Sequence, residues 1–115
     1  MLKVYQFHLN DEDHKLVNSA GWDASPKIVS YLKNSMPVTT SRFNTDDFKY
    51  FTHVANVYTD SLEHAFSLMN LWEDEELIAR LGKCRSMSVG DIVQTEDGQF
   101  YRCAALGFDP IQVNL

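Results

Sequence analysis

The sequence predicts an α+β fold in which helices pack on a mostly antiparallel sheet that includes a C-terminal β-hairpin. Residues Leu2–Leu9 alternate between the two faces of a strand. Residues Leu62–Trp72 repeat apolar side chains every three or four positions, which is typical of one helix face. Asp97-Gly98 separates two β-rich runs, as in a tight hairpin. With 115 residues, of which 44% are apolar, the chain is expected to form a single domain over residues 1–115 with its own core.

The first strand and the helix after it follow from local signals. Tyr5, Phe7 and Leu9 share one strand face, which is predicted to be the buried one. Asn10 can cap a helix through its side-chain oxygen, and three acidic residues follow where the helix dipole favours anions. Gly21 is expected to end this helix.

A second helix is predicted from Ser25-Pro26, because proline is tolerated at the first helical position. It is expected to end within 34–37, and the polar stretch 37–47 is predicted to be a loop. Three residues of the helix are spaced to face a core: Ile28, Val29 and Leu32.

The clearest single element is the helix Leu62–Trp72, preceded by a predicted strand at Val54–Tyr58. Asp60 and Glu63 have the spacing of a capping box at its start. The apolar side chains that define its predicted core face are Leu62, Ala65, Phe66, Met69 and Trp72.

The C-terminal third is predicted to change from helix to strand. Glu73–Glu76 is expected to open another helical turn, with three apolar residues facing inward and Gly82 ending it: Leu77, Ile78 and Leu81. Ile92-Val93 and Phe100–Ala105 then flank the turn at Glu96-Asp97-Gly98 and form the hairpin. A short last strand is predicted at Ile111–Val113.

Charge and composition exclude several classes of function. The formal net charge is −6, with ten Lys and Arg against sixteen Asp and Glu, and the cations are mostly scattered. Direct nucleic-acid binding is disfavoured, because it normally uses a basic patch. The apolar runs are far shorter than the ~20 residues that cross a bilayer, and the N-terminus turns polar too early for a signal peptide. We therefore expect a cytoplasmic protein without membrane contact, in which Cys84 and Cys103 are free thiols.

One segment carries a family resemblance. The run Arg85–Val93 (RSMSVGDIV), followed by Asp97-Gly98, Tyr101–Cys103 and Gly107-Phe108, resembles the C-terminal signature of the YodL-like domain family. In that family an SxSVGDVV run leads into a hairpin that closes on Gly followed by Phe or Trp. The resemblance covers roughly the last quarter of the chain. It implies a small protein of phages, plasmids or their bacterial hosts, located in the host cytoplasm if phage-encoded, with neither an enzymatic activity nor a cofactor.

The candidate metal ligands are better explained as helix-start residues. Four side chains near the N-terminus have the right chemistry for a divalent cation: His8, Asp11, Asp13 and His14. They are expected to lie on different faces of a strand end and a helix start, where acidic residues already favour the helix dipole. We therefore predict no metal site.

A Cys/His catalytic pair can be drawn from four residues: His53, Asp60, His64 and Cys103. A nucleophilic cysteine needs a lowered pKa and partial exposure. Cys103 lies in the middle of a predicted strand, where cysteine behaves as a small buried hydrophobe. Cys84 lies near a predicted helix end, where the dipole raises the thiol pKa. No catalytic residue is therefore assigned.

Two groups of residues remain as a possible interaction surface. One is aromatic, for which core packing is favoured but an exposed apolar patch is the alternative: Phe43, Phe48, Tyr50 and Phe51. The other is a contiguous acidic run that is expected to be solvated: Glu73, Asp74, Glu75 and Glu76.

The sequence thus favours a non-catalytic accessory or protein-interaction module that binds a protein partner, and the resemblance favours a phage or other mobile genetic element as its source. One alternative is a small enzyme that acts on a small molecule or nucleic acid through His53 and a nearby carboxylate. A cleft around His53 would favour the enzyme and a packed sheet position the module. A second alternative is an acidic DNA mimic that inhibits a host nuclease.

Overall fold

The structure is a computed structural model that describes residues 1–35, 43–71 and 74–113. The strands are β1 (Leu2–Gln6), β2 (Thr52–Val57), β3 (Ile78–Arg80), β4 (Ile92–Gln94), β5 (Phe100–Cys103) and β6 (Phe108–Ile111). The helices are α1 (Asp11–Ala20), α2 (Pro26–Ser35) and α3 (Leu62–Leu71), with two 3₁₀-helices at Thr45–Tyr50 and Glu75–Leu77. The strands form one six-stranded antiparallel sheet in the order β3-β2-β1-β4-β5-β6. The predicted α+β class with a mostly antiparallel sheet is confirmed.

Strand β1 lies in the middle of the sheet and is buried on both faces. Leu2 and Val4 point to the face that α3 covers, called here the α3 face. Tyr5 and Phe7 point to the opposite face, called the α2 face, where Ile28 of α2 packs. The prediction of a single buried face made of Tyr5, Phe7 and Leu9 was therefore incomplete, because a central strand is covered from both sides. The strand also ends at Gln6 rather than at Leu9.

The core of the α3 face is built from one stripe of α3 against the sheet. Ala65, Leu68 and Met69 are buried there, whereas Phe66 is 39% exposed. Phe66 is displaced by about 100° around the helix axis from Ala65, which turns its ring away from the sheet. The prediction that Phe66 faces the core was wrong. Trp72 lies outside the described residues.

The start of α3 is capped one residue later than predicted. The Ser61 hydroxyl accepts a hydrogen bond from the His64 amide at 3.2 Å. Ser61 is therefore the N-cap, and the Asp60–Glu63 capping box is not formed. Strand β2 before it begins at Thr52 rather than at Val54, and it ends at Val57.

Helices α1 and α2 follow the sequence signals closely. Asn10 caps α1 and Gly21 with φ +92° ends it, as predicted. Asp13 adds a contact that was not predicted, because its side chain accepts from the Asn10 amide and completes a capping box. Lys27 binds Asp13 at 2.6 Å and so ties α2 to α1. Ile28 of α2 is buried, but Val29 is 46% exposed, so its predicted core position was wrong. The loop predicted over 37–47 is described only from Phe43 onward, and it runs into the 3₁₀-helix Thr45–Tyr50.

The C-terminal part contains strand where one helical turn was predicted. Only residues 75–77 are helical, and Ile78 then begins strand β3 by pairing with Val57. Leu81, which was predicted to face inward, is exposed. A strand replaces the helical turn because the edge of β2 offers unpaired backbone groups to Ile78–Arg80.

The hairpin β4–β5 is confirmed, and a second hairpin follows it. Gly98 adopts φ +87° in the turn, where its amide donates to the Thr95 carbonyl at 3.0 Å. Strand β6 begins at Phe108 instead of the predicted Ile111 and pairs with β5. In the second turn the Ala104 amide donates to the Gly107 carbonyl at 2.9 Å. Among the described residues, none of the helices has the length and apolar character needed to cross a membrane.

Candidate functional site

The segment that carries the family resemblance forms a buried polar junction around Asp91. The Asp91 carboxylate is only 1% exposed and accepts two hydrogen bonds from the Arg85 guanidinium, at 2.7 and 2.8 Å. It also accepts from the Ser88 amide at 3.0 Å and from Gln6 Nε2 at 3.1 Å. Both carboxylate oxygens are thus fully engaged inside the protein.

Gln6 connects this junction to the central strand. Its Nε2 also donates to the Arg85 carbonyl at 3.0 Å, and its Oε1 accepts from the Arg85 amide at 3.1 Å. His8 Nε2 lies 3.1 Å from the same Oε1. Gln6 is the last residue of β1 and is fully buried, so it holds the segment before β4 against the end of β1.

The charges at this junction act on each other. Burial raises the pKa of Asp91, while the Arg85 guanidinium, the Ser88 amide and Gln6 act to lower it. The pKa of His8 is lowered, first by burial and then by the positive charges of Arg85 and Lys83. His8 is therefore biased towards the neutral form.

Gly90 has a steric role in the same segment. Its φ is +95°, and a Cβ atom there would lie 2.0 Å from the Asn34 carbonyl oxygen at the end of α2. The Gly90 amide donates to the Cys103 carbonyl at 2.9 Å, which brings the segment onto β5. Among the described residues, every buried side-chain nitrogen and oxygen has a hydrogen-bond partner. The chemistry of the resembling segment is thus used in holding β1, β5 and α2 together.

The structure separates the residues of the possible Cys/His pair. His53 lies on β2 and Cys103 on β5, with β1 and β4 between them, which is a separation of about 14 Å across the sheet. They also face opposite sides, because Cys103 packs on the α3 face while the His53 ring lies 5.1 Å from that of Tyr5 on the α2 face. His53 Nε2 donates to Asn56 Oδ1 at 2.7 Å. His53 thus has a packed sheet position.

Both cysteines are free thiols, and burial limits the access of solvent to them: Cys103 is buried and Cys84 is partly buried. Burial raises the pKa of Cys103 to about 11. Burial also raises the pKa of Cys84, which lies between β3 and β4 rather than at the predicted helix end. The predicted direction for Cys84 holds, but its cause is desolvation instead of a helix dipole.

The N-terminal candidate ligands serve the helix start. Asp13 accepts from the Asn10 amide at 3.0 Å, and its pKa is lowered, first by the hydrogen bond from Lys27. Among the residues that the structure describes, no group of three or more His, Cys, Asp or Glu side chains is arranged to hold a metal ion.

The aromatic residues of the possible interaction surface cover the α2 face. Phe43 is buried beside Ile92, while three neighbouring rings are half-buried: Phe48, Tyr50 and Phe51. Tyr50 and Phe51 both contact Phe7, at centroid distances of 5.3 and 5.4 Å, because the 3₁₀-helix ends between them and the chain bends. These rings therefore pack on the sheet.

The acidic residues of that surface are only partly described. Asp74, Glu75 and Glu76 are exposed, and Glu73 lies outside the described residues. Glu75 binds the Arg80 guanidinium at 2.6 Å, which offsets part of the local negative charge.

A surface that the sequence did not predict lies between α3 and the β5–β6 turn. We call it the Phe66 groove; its lining residues are Glu63, Phe66, Ser67, Cys103, Ala104, Ala105, Gly107 and Phe108. About 560 Å³ of space, open to solvent, lies between these walls. At the tip of the adjacent turn, Leu106 is 94% exposed. The sequence contains one signal for this surface: the turn Ala104–Gly107 is apolar, whereas solvent-exposed turns are usually rich in polar residues, Gly and Pro.

No protein-family model, curated protein or solved structure shows significant similarity to this chain.

Proposed function

We propose that this chain is a non-catalytic accessory protein of a phage or other mobile genetic element, and that it acts by binding another protein through the Phe66 groove. The observation that carries the binding role is the exposure of two large apolar side chains, Phe66 in the groove and Leu106 at the tip of the turn beside it.

The exposed apolar surface of these two side chains does not contribute to the folding stability of the isolated chain. Burying a fully exposed Phe or Leu side chain stabilises by about 1.5–3 kcal/mol. A partner would gain most of this free energy at Leu106, which is 94% exposed, and a smaller part at Phe66, which is 39% exposed. Phe66 lies in a concave site, opposite Phe108 across the groove. Concave apolar sites with an aromatic residue are typical of the centre of protein interfaces.

Two features of the structure support a non-catalytic role. His53 is held by Asn56 and packs against Tyr5 in the sheet, and Cys103 is buried with a raised pKa. The polar junction around Asp91 has all its buried groups paired inside the protein. An active site normally keeps such groups available to a substrate.

The assignment to a mobile element rests on the resemblance of Arg85–Phe108 to the YodL-like domain family. In this structure Gly90 and Asp91 of that segment have contacts that only glycine and a carboxylate can make. These contacts give a physical reason for the two most distinctive residues of the run.

A pull-down from the cells in which the gene naturally resides tests the proposal. The bait is the full chain, compared with a Phe66→Ser/Leu106→Ser variant. The matched control is Leu16→Ser, which changes an apolar residue of α1 that is 38% exposed, close to the 39% of Phe66, and that does not line the groove. We expect at least one protein to be captured by the wild type and by the control, and lost with the double variant. Identical capture by all three baits would overturn the role of the groove.

A further inference from the structure

Resting on the proposed function, we infer that the Phe66 groove receives a basic and apolar segment of the partner, in which a large apolar side chain has a Lys or Arg beside it. The juxtaposition that carries the inference is an apolar cleft in which the Glu63 carboxylate is the one charged group among the described lining residues.

The walls of the groove determine the apolar part of the occupant. Phe66 stands on the α3 wall, and Phe108 and the small residues Ala104 and Ala105 form the other wall. Small residues on one side leave room for a side chain brought by a partner. Leu106, at the tip of the turn, extends the apolar area towards that partner.

The charges around the groove determine the polar part of the occupant. Among the described residues that line it, none is Lys or Arg, and Glu63 is exposed on its α3 wall. The described helix α3 also contains no Lys or Arg, and the exposed Asp60 lies just before it. The raised pKa of Cys103 keeps that thiol neutral at physiological pH. The groove is therefore neutral to negative throughout, and a cation placed beside Glu63 meets no like charge from its walls.

This charge pattern selects a protein segment over other apolar or charged partners. Phosphates of nucleic acids and anionic membrane surfaces attract basic proteins, whereas this groove is acidic and the whole chain carries a net charge of −6. An acidic protein segment would be repelled by Glu63 for the same reason. A basic segment is attracted over a distance set by the Debye length, and electrostatic complementarity mainly gives specificity and a faster encounter.

Selection from a random peptide library displayed on phage, with the full chain as bait, tests the inference. We expect the enriched peptides to contain a large apolar residue with Lys or Arg within a few positions. An enriched peptide is then synthesised, and its Kd is measured by fluorescence anisotropy against folded variants, whose circular dichroism is checked first. Phe66→Ser should weaken binding by a factor of about 10 or more, as expected for a central interface residue.

The charge is tested with Glu63 variants at two salt concentrations. Glu63→Gln should weaken binding by a factor of about 2 to 5 at low salt, with little effect at about 0.5 M salt, because an exposed ion pair is weak and screened. Glu63→Lys should weaken it further. The matched control is Glu76→Gln, which removes an exposed carboxylate away from the groove and should leave Kd unchanged.

Three outcomes would overturn the inference: no enriched peptide, enriched peptides without basic residues, or binding that ignores both Phe66→Ser and Glu63→Lys. The pull-down distinguishes the two levels of the argument. If a natural partner is lost with Phe66→Ser/Leu106→Ser but the selected peptides are not basic, the groove is the binding site and only the charge assignment fails. If the pull-down also fails, the proposed function fails with it.

Discussion

Arg85 and Asp91 form a two-point ion pair in which the Asp91 side chain is buried and the Arg85 side chain is 40% exposed. The two residues stand at the start and near the end of the run RSMSVGDIV, so the pair closes this run into a compact loop before β4. A buried carboxylate that loses its partner becomes a large energetic liability. The pair is therefore the part of the resembling segment on which stability depends most directly.

Arg85→Met should lower the free energy of unfolding by about 2–3 kcal/mol at pH 7 in urea denaturation. The value is below that of a fully buried pair because Arg85 is partly exposed. Burial already raises the folded-state pKa of Asp91, and removal of the cation raises it further. A carboxyl whose pKa is raised in the folded state favours folding most when it is protonated, below its unfolded-state pKa of about 3.9. This contribution to the free energy of unfolding is lost as pH rises through the folded-state pKa. The loss caused by Arg85→Met should therefore be smaller near pH 4 than at pH 7.

Lys83→Met is the control for that measurement, because Lys83 is an exposed cation close in sequence. Its effect should stay within about 0.5 kcal/mol at both pH values. If Arg85→Met lowers the free energy of unfolding by the same amount at both pH values, the pH dependence does not come from Asp91.

Three glycine-to-alanine substitutions should differ in how much they destabilise the fold, according to the φ angle of each glycine and the atoms near its added Cβ. Gly82 lies outside the left-handed region and has open space around it, so Gly82→Ala should leave the melting temperature unchanged. Gly98 has φ +87° in open space, so Gly98→Ala should cost about 1 kcal/mol of strain alone. Gly90→Ala adds a clash with the Asn34 carbonyl oxygen and should cost the most. Thermal unfolding of the three variants checks this order, and equal melting temperatures for Gly82→Ala and Gly98→Ala would remove the strain argument.

Met69→Ala and Phe66→Ala should differ strongly although both residues are large, apolar and on α3. Met69 is fully buried against the sheet, so its truncation should cost about 2–5 kcal/mol. Phe66 is exposed at the groove, so its truncation should cost less than about 1.5 kcal/mol. Chemical denaturation measures both values. A larger loss for Phe66→Ala than for Met69→Ala would return Phe66 to the core and remove it from the proposed interface.

Both thiols should react slowly in the folded protein and rapidly after denaturation, with no reducing agent needed. The pKa of Cys103 is about 11 and that of Cys84 is also raised, so little thiolate is present at neutral pH. Titration with a thiol reagent in the absence and presence of denaturant measures this difference. Rapid labelling of Cys103 in the native state would contradict the protection of its thiol by burial.

The elements that the sequence predicted well are those with local signals. Three such features depend on neighbours within a few residues: the N-cap Asn10, the end of α1 at Gly21 and the hairpin turn at Gly98. Sequence patterns contain this information, because caps and turns are local backbone chemistry.

The elements that the sequence predicted poorly depend on distant partners. The apolar residues around Ile78 suit a helical turn as well as a strand. This segment forms a strand because its backbone pairs with β2, where Ile78 lies opposite Val57. Phe66 satisfies the helical period, but its position relative to the β5–β6 turn depends on where α3 sits on the sheet. The Phe66 groove lies between residues about forty positions apart in the chain, so no local pattern contains it.

The central position of β1 has a consequence for how the chain folds. Tyr5 pairs with His53 of β2 on one side and with Ile92 of β4 on the other. The edge of β1 that pairs with β4 therefore stays unpaired until residues near the C-terminal end of the sequence are present. During synthesis that edge stays open while most of the chain is made, and an unpaired apolar strand edge is a site for aggregation. Closing such a long loop also slows folding. In the folded protein, the hydrogen bonds between the Gln6 side chain and the Arg85 backbone hold the segment before β4 at the end of this same strand.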